Sequence, residues 1–244
     1  MTGVVLLSSN LGAKRLGLLR QLLPNVEAVG VIVNPTYPVA AAQLKEVEAA
    51  AASLNVRLIV TNASADHDFE PAFALLIQQR VGALLVAADP FFHSRRHQIV
   101  ALAARHALPA IYEWREYSIA GGLMSYGTSI TEVYRLAGVY VGRVLKGEKT
   151  ADLPVIQASK FEFVINLRTA KALGLEVPLG FLPPPTRSSN EAPPVHHAAG
   201  RHGCGVAARG ARAAGACSSR RRASWSRRDG IVTGLAHRLL ASAR

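Results

Sequence analysis

The first 182 residues of this 244-residue chain contain no cysteine. Both thiols, Cys204 and Cys217, fall in the last quarter. The part able to build a core therefore has no disulfide, no cysteine metal site and no thiol nucleophile. Lysine is absent after Pro183, where all 11 basic residues are arginine. No apolar run approaches the roughly 20 residues needed to span a bilayer. The start, MTGVVLLSSNLGAKRLG, lacks a basic segment ahead of a long apolar stretch and so lacks the pattern of a secretory signal. A Gly-rich phosphate loop, a G-x-S-x-G elbow and a paired-carboxylate motif are also missing. Nucleotide, acyl-transfer and glycosidase chemistry therefore have no motif to stand on.

What is present is a chain 50% hydrophobic and 18% charged, enough for one large domain or two small ones. The net charge of +12 invites a nucleic-acid reading, but its distribution argues against one. Residues 1–182 carry 17 Lys/Arg and 14 Asp/Glu, or +3, and residues 183–244 carry 11 and 2, or +9. The basicity belongs to the tail.

The pattern of apolar residues predicts strands at Ala28–Val33, Val56–Val60, Val81–Ala88 and Pro109–Tyr112. Between them lie helices at Val39–Leu54, at Asp68–Gln79 and from Gln98 to about His106. A leading helix, Ala13–Leu23, places Lys14, Arg15 and Arg20 between its leucines, behind a short strand or lead-in segment at Met1–Ser9. This alternation means βαβ units, so the fold class is α/β, with a mainly parallel sheet and helices on both faces. After Trp114 the pattern changes to a strand at Leu123–Tyr126, a helix at Thr131–Leu145, a polar connection at Gly147–Asp152, a strand at Phe161–Ile165 and a helix at Leu167–Leu173. In that last long helix Tyr134, Ala137, Val141 and Leu145 share one side.

The chain is organised around Val81–Arg96, VGALLVAADPFFHSRR. A buried strand ends at Asp89-Pro90, and Ser94 is placed to cap the helix that follows. Ligands of open parallel sheets bind beyond the carboxyl ends of the strands. Asp89 is therefore a candidate for holding a ligand amine, with an Asx-turn or capping role equally open. Phe91 and Phe92 are candidates for stacking on a flat ligand, or for closing the core. Asn34 follows its strand at the same level, with turn formation the commoner role for Asn before Pro. Tyr112 and Glu113 follow the fourth strand, beside Trp114 and Arg115. Glu113 and Arg115 are placed for a surface ion pair. Tyr126 lies where the chain returns, and Gly127 is read as a turn. His93 and His97 have the i, i+4 spacing of a metal pair but no third ligand, so a solvated helix face is expected and neither metal nor cofactor.

DPFFHSRR from Asp89, GLMSYG from Gly122, VLKGEK from Val144 and FEFVINLRTAKALGL from Phe161 together resemble the solute-binding components of ABC-type uptake systems, in particular the tryptophan/tyrosine-type family. The resemblance covers Thr2–Leu182. It implies a type I periplasmic binding protein fold, in which two α/β lobes close on a small amino-acid-like solute and deliver it to a membrane permease. It also implies a monomer that is not an enzyme, contacts no nucleic acid and inserts in no membrane. The family works in the periplasm, whereas this chain as written, without an export signal, is expected in the cytoplasm. Family members carry a complete first lobe ahead of the TGV segment, so the resemblance implies truncation at the N-terminus, with that lobe largely missing. The expected domains are 1–25 as a hinge or first-lobe remnant, 26–118 as the second lobe, 119–182 as the return crossover and 183–244 as a tail. A lobe without its partner loses half its ligand contacts, so weak binding is expected. The alternative is the effector domain of a LacI-type regulator or a small α/β enzyme.

The family ends in a short acidic segment, and this chain does not. Codons for Pro183–Asn190 can be chosen so that the adjacent frame reads Ala-Pro-Asp-Glu-Val-Ile-Glu and then stops. In the third frame the following stretch reads MKRRPFITLLGGTAAAWPLAARAQQ, a secretory signal. The tail is thus expected to be out-of-frame sequence, disordered and packed on no core, apart from a frayed helix near Gly234–Ser242. A nucleic-acid-binding arm at Arg220–Arg222 is the lesser alternative.

Overall fold

The computed structural model describes residues 2–5, 11–158, 160–182, 225–228 and 230–235. Its elements are β1 (Gly3–Val5), α1 (Gly12–Leu22), β2 (Ala28–Val33), α2 (Ala40–Leu54), β3 (Arg57–Asn62), α3 (Phe69–Gln78), β4 (Ala83–Val86), α4 (Pro90–Ser94) and α5 (Arg96–Arg105). They continue as β5 (Ala110–Tyr112), α6 (Arg115–Ile119), β6 (Met124–Thr128), α7 (Ile130–Leu145), β7 (Val155–Gln157), β8 (Phe161–Asn166), α8 (Leu167–Ala172), β9 (Trp225–Arg228) and β10 (Ile231–Leu235).

Eight strands form one sheet in the order β3-β2-β4-β5-β6-β8-β10-β9. The first five are parallel, with Gly30 of β2 opposite Ile59 on one side and Leu84 on the other. β8 runs antiparallel to β6. Alternation along the strands sorts the core into two. Val29, Val31, Val33, Leu85 and Ile111 face α1 and α2, while Ile32, Leu84, Val86 and Tyr112 face α3 to α6. That is the doubly covered parallel sheet expected of βαβ units.

α1 belongs to this lobe. Leu16, Leu18, Leu19 and Leu22 are at most 5% exposed and pack in the same core as β2 and β4. Burial of each such side chain contributes about 1.5–3 kcal/mol. The expected boundary at residue 25 therefore cuts through a core. Arg15, one of the basic residues between the leucines, is 1% exposed.

β1 and β7 form a separate two-stranded parallel sheet, with Val4 opposite Ile156. α7 packs on it through Tyr140, whose hydroxyl donates to the Pro154 carbonyl at 2.8 Å. β7 and α6 were not legible in the sequence, being three and five residues long.

The tail expectation is corrected at residues 225–235. β9 and β10 form an antiparallel hairpin, and β10 pairs along β8 from Ile231 opposite Asn166 to Leu235 opposite Glu162. Val232 is fully buried in the sheet's core. The physical reason is that β8 offers an open ladder and an apolar run, Phe163–Ile165, which a strand of alternating pattern can cover. Gly234 lies in a strand rather than a frayed helix. The remainder of that proposed helix, and the stretch 183–224, lie outside the described residues. Among the described residues no helix is long and apolar enough to cross a membrane.

Candidate functional site

β2, β4, β5 and β6 end on the same edge of the sheet, and the residues that follow them carry the polar groups. Asp89 is 3% exposed and sits just beyond β4. Its Oδ1 accepts from the Phe92 backbone N–H at 3.0 Å, which makes it the N-cap of α4, with Pro90 in the first turn. Ser94, expected to cap the following helix, is instead the last residue of α4, its hydroxyl donating to the Phe91 carbonyl at 2.7 Å, and α5 starts after Arg95 with no side-chain cap. Asp89 Oδ2 accepts from Asn34 Nδ2 at 3.0 Å. Asn34 in turn accepts from the Thr36 N–H at 3.1 Å and the Thr36 hydroxyl at 2.7 Å. The capping role is thus realised at Asp89 and the turn role at Asn34, and one hydrogen bond joins the two side chains.

Gln43 of α2 fixes the chain just before Asp89. Its amide donates to the Ala88 carbonyl and accepts from the Ala88 N–H, both at 2.9 Å. A side chain thus replaces the ladder partner that a backbone would supply beyond the end of β4. Glu113, beyond β5, is 5% exposed. Gly127 lies in β6, not in a turn, and a Cβ there would stand 2.1 Å from the Glu113 carbonyl oxygen. The missing side chain lets β6 approach the residue after β5.

Asp89 and Glu113 follow adjacent parallel strands, β4 and β5. Burial raises the Tyr37 phenol above its ordinary value, and the charges of Glu113 and Asp89 add to the shift. Tyr117 of α6 is raised strongly by burial, with Glu113 and Asp89 again contributing. One phenol comes from the turn after β2 and the other from α6. Arg15 supplies the counter-charge from α1. Burial lowers its pKa, while Glu113 and then Glu46 oppose that shift, and its Nε donates to the Tyr126 carbonyl at 2.9 Å. Thr128, at the end of β6, holds a buried hydroxyl with no partner among the described residues.

Three expected ligand contacts are corrected. Phe92 is fully buried among Ile32, Phe69 and Phe73 and closes the core. Tyr112 is fully buried and stacks on Tyr117 at 4.6 Å. Tyr126 is 1% exposed, its ring lying 6.3 Å from Phe161. In each case strand or helix register turns the side chain into a core face, which composition at a strand end does not reveal. Phe91 is half-buried at the rim, 5.7 Å from Phe69, with the Arg95 guanidinium 5.8 Å from its ring. Arg115 pairs with Glu162 at 3.6 Å. His93 is half-buried against Trp114 at 4.4 Å, which corrects its reading as part of a solvated face. Among the described residues no group of three His, Cys, Asp or Glu is placed to hold a metal ion.

The sequence model of a family described as ABC transporter substrate binding protein matches residues 1–186. A curated relative, the tyrosine-binding protein of Clostridioides difficile (strain R20291), is 24% identical over 163 residues, covering 67% of this chain and 47% of its own length. A conserved domain protein from Vibrio cholerae has a similar structure, with a TM-score of 0.66 and 23% identity over 74% of this chain and 60% of that one. A domain from Streptococcus pneumoniae, solved in complex with L-Trp, gives a TM-score of 0.63 and 22% identity over 74% and 61%. These likenesses show the fold. The chain spans about half the length of the curated relative, at 47%, and about 60% of the solved ones.

Proposed function

The chain belongs to the ABC transporter substrate binding protein family, and on that premise we propose that its large lobe holds the ammonium end of a small amino-acid-like solute at Asp89 and Glu113. The family is non-catalytic, so the enzyme alternative falls away. Its members work outside the cytoplasmic membrane and pass a solute to an ABC permease.

The observation that supports the reading is the placing of two buried carboxylates, Asp89 and Glu113, just beyond the carboxyl ends of the adjacent strands β4 and β5. A primary ammonium is a compact donor of three hydrogen bonds and suits a pair of carboxylates set among phenols and a threonine hydroxyl. Phe91, at the rim, is placed to meet the solute's side chain. That the curated relative is a tyrosine-binding protein and that one solved relative holds L-Trp supports an aromatic amino acid as the solute.

One lobe offers one wall of such a site. Half of a micromolar binding free energy, about −4 of −8 kcal/mol, corresponds to about 1 mM. Contacts from this lobe alone are therefore expected to give binding in the millimolar range.

The test is a comparison of L-tyrosine, tyramine and 3-(4-hydroxyphenyl)propionate by chemical-shift titration. Tyramine keeps the amine and is expected to bind like the amino acid, while the propionate lacks it and is expected not to bind. Equal binding of the propionate would overturn the assignment of the amine to this lobe.

A further inference from the structure

Among the described residues the buried charged side chains are Arg15, Asp89 and Glu113, none more than 5% exposed. Charged side chains are seldom buried unless they are paired, so these call for an account. Asp89 and Glu113 follow β4 and β5. Arg15 comes from α1, and its Nε donates to the carbonyl of Tyr126 in β6 at 2.9 Å. The next residue, Gly127, lies against Glu113. A Cβ on it would stand 2.1 Å from the Glu113 carbonyl oxygen and 3.4 Å from the Glu113 Cγ. The guanidinium is thus anchored one residue from the backbone on which Glu113 rests. Glu113 also leads the groups whose charge opposes the lowering of the Arg15 pKa by burial. The donors to Asp89, the Phe92 N–H and the Asn34 amide, are neutral and leave its charge in place. A guanidinium keeps its proton in a protein. One guanidinium against two carboxylates leaves the buried groups with a single formal negative charge.

We propose that Arg15 is a positioning residue that sets the charge count of the site: it offsets Glu113, and the one negative charge left over admits solutes that present one ammonium and disfavours those that present two. The proposal rests on the assignment of the solute's ammonium to Asp89 and Glu113. At 1% exposure the guanidinium is not open to a solute, so its charge acts through Glu113. An uncompensated buried charge is costly, and a single cation is the counterpart that removes the cost here. A second ammonium would lose its water beside a guanidinium, with no further anion to meet it. Without Arg15 the buried groups would carry two negative charges, and a dication would become the better match. The solute class at this end is therefore a primary monoamine or the α-amino group of a neutral amino acid, and not a short diamine.

Chemical-shift titration of the full chain with benzylamine and with meta-xylylenediamine, which adds one aminomethyl group, tests this at one fixed ionic strength. The parent is expected to bind the monoamine more tightly. Arg15→Gln is expected to move the ratio of the two affinities roughly tenfold toward the diamine, and Arg15→Lys, which keeps the charge, to hold it at the parent's value. A merely structural role for Arg15 would weaken both amines alike and leave the ratio where it was. A parent that prefers the diamine, or a folded Arg15→Gln chain with the parent's ratio, would overturn the proposal. Should Arg15→Gln fail to fold, the parent and Arg15→Lys decide, and a preference for the diamine in either would overturn it. A parent that binds neither amine would remove the ammonium assignment and this proposal with it, whereas amine binding with an unmoved ratio would remove this proposal alone.

Discussion

Asn34 Nδ2 donates to Asp89 Oδ2 at 3.0 Å and ties the ends of β2 and β4 together past their last ladder bonds. Asp89 thereby does two jobs, since its other oxygen caps α4. Asp89→Ala removes the cap and leaves a buried amide without its acceptor, a loss of about 2–3 kcal/mol. Asp89→Asn retains one acceptor and is expected to cost about 1 kcal/mol. Urea denaturation of the two variants checks the order, and an Asp89→Ala chain as stable as the parent would contradict it.

Gly127→Ala puts a methyl group 2.1 Å from the backbone oxygen of Glu113. Backbone cannot rotate aside as a flexible side chain can, so β5 and β6 must separate. A destabilisation of about 2–3 kcal/mol follows, at the upper end of overpacking costs. A melting temperature within a degree or so of the parent's would show that the two strands do not meet this closely.

His93 gives the fold a pH dependence. Burial lowers its pKa from the ordinary value of 6.5, Arg96 lowers it further and Glu116 opposes both. The unfolded chain therefore takes up this proton at a higher pH than the folded chain does. The stability is fully present above about 6.5 and is lost as pH falls toward the folded value. The carboxylates with lowered values, Asp68, Glu132 and Glu148, act only below their ordinary 3.8 to 4.5. Between pH 7 and 5 the melting temperature is expected to fall in the parent and to fall less in His93→Gln. Equal declines would remove His93 as the cause.

Val232→Asp tests the hairpin. Val232 is fully buried against β8, so a carboxylate there is an unpaired buried charge, costing about 3–5 kcal/mol. The whole sheet is expected to melt earlier. A variant with the parent's melting curve would mean that β10 contributes nothing to the core.

The parallel order and the double layer were legible because Ala28–Val33 and Val81–Ala88 are short, β-branched runs separated by periodic helices. The strand-end positions of Asn34, Asp89 and Glu113 followed from the same reading. What the sequence could not show was the direction of the side chains. Tyr112 and Phe92 look alike as aromatics near strand ends, and only register sends both into the core. Arg15 was hidden for the opposite reason. A charge between leucines reads as solvated unless the partners that accept it, Tyr126 and Glu113, can be seen more than ninety residues away. Gly127 carried no signal of its neighbour, because a close approach of two strands leaves no local pattern.

The central claim, that the edge bearing Asp89 and Glu113 receives the amine of a small solute, is tested most directly by a site-resolved titration. Amide resonances of the labelled chain are followed as L-tyrosine or L-tryptophan is added. The expected result is a saturable shift near 1 mM at Asn34, Asp89, Phe91, Phe92 and Glu113, lost in a folded Asp89→Asn chain. Shifts that bypass these residues, or a titration that Asp89→Asn leaves unchanged, would contradict it.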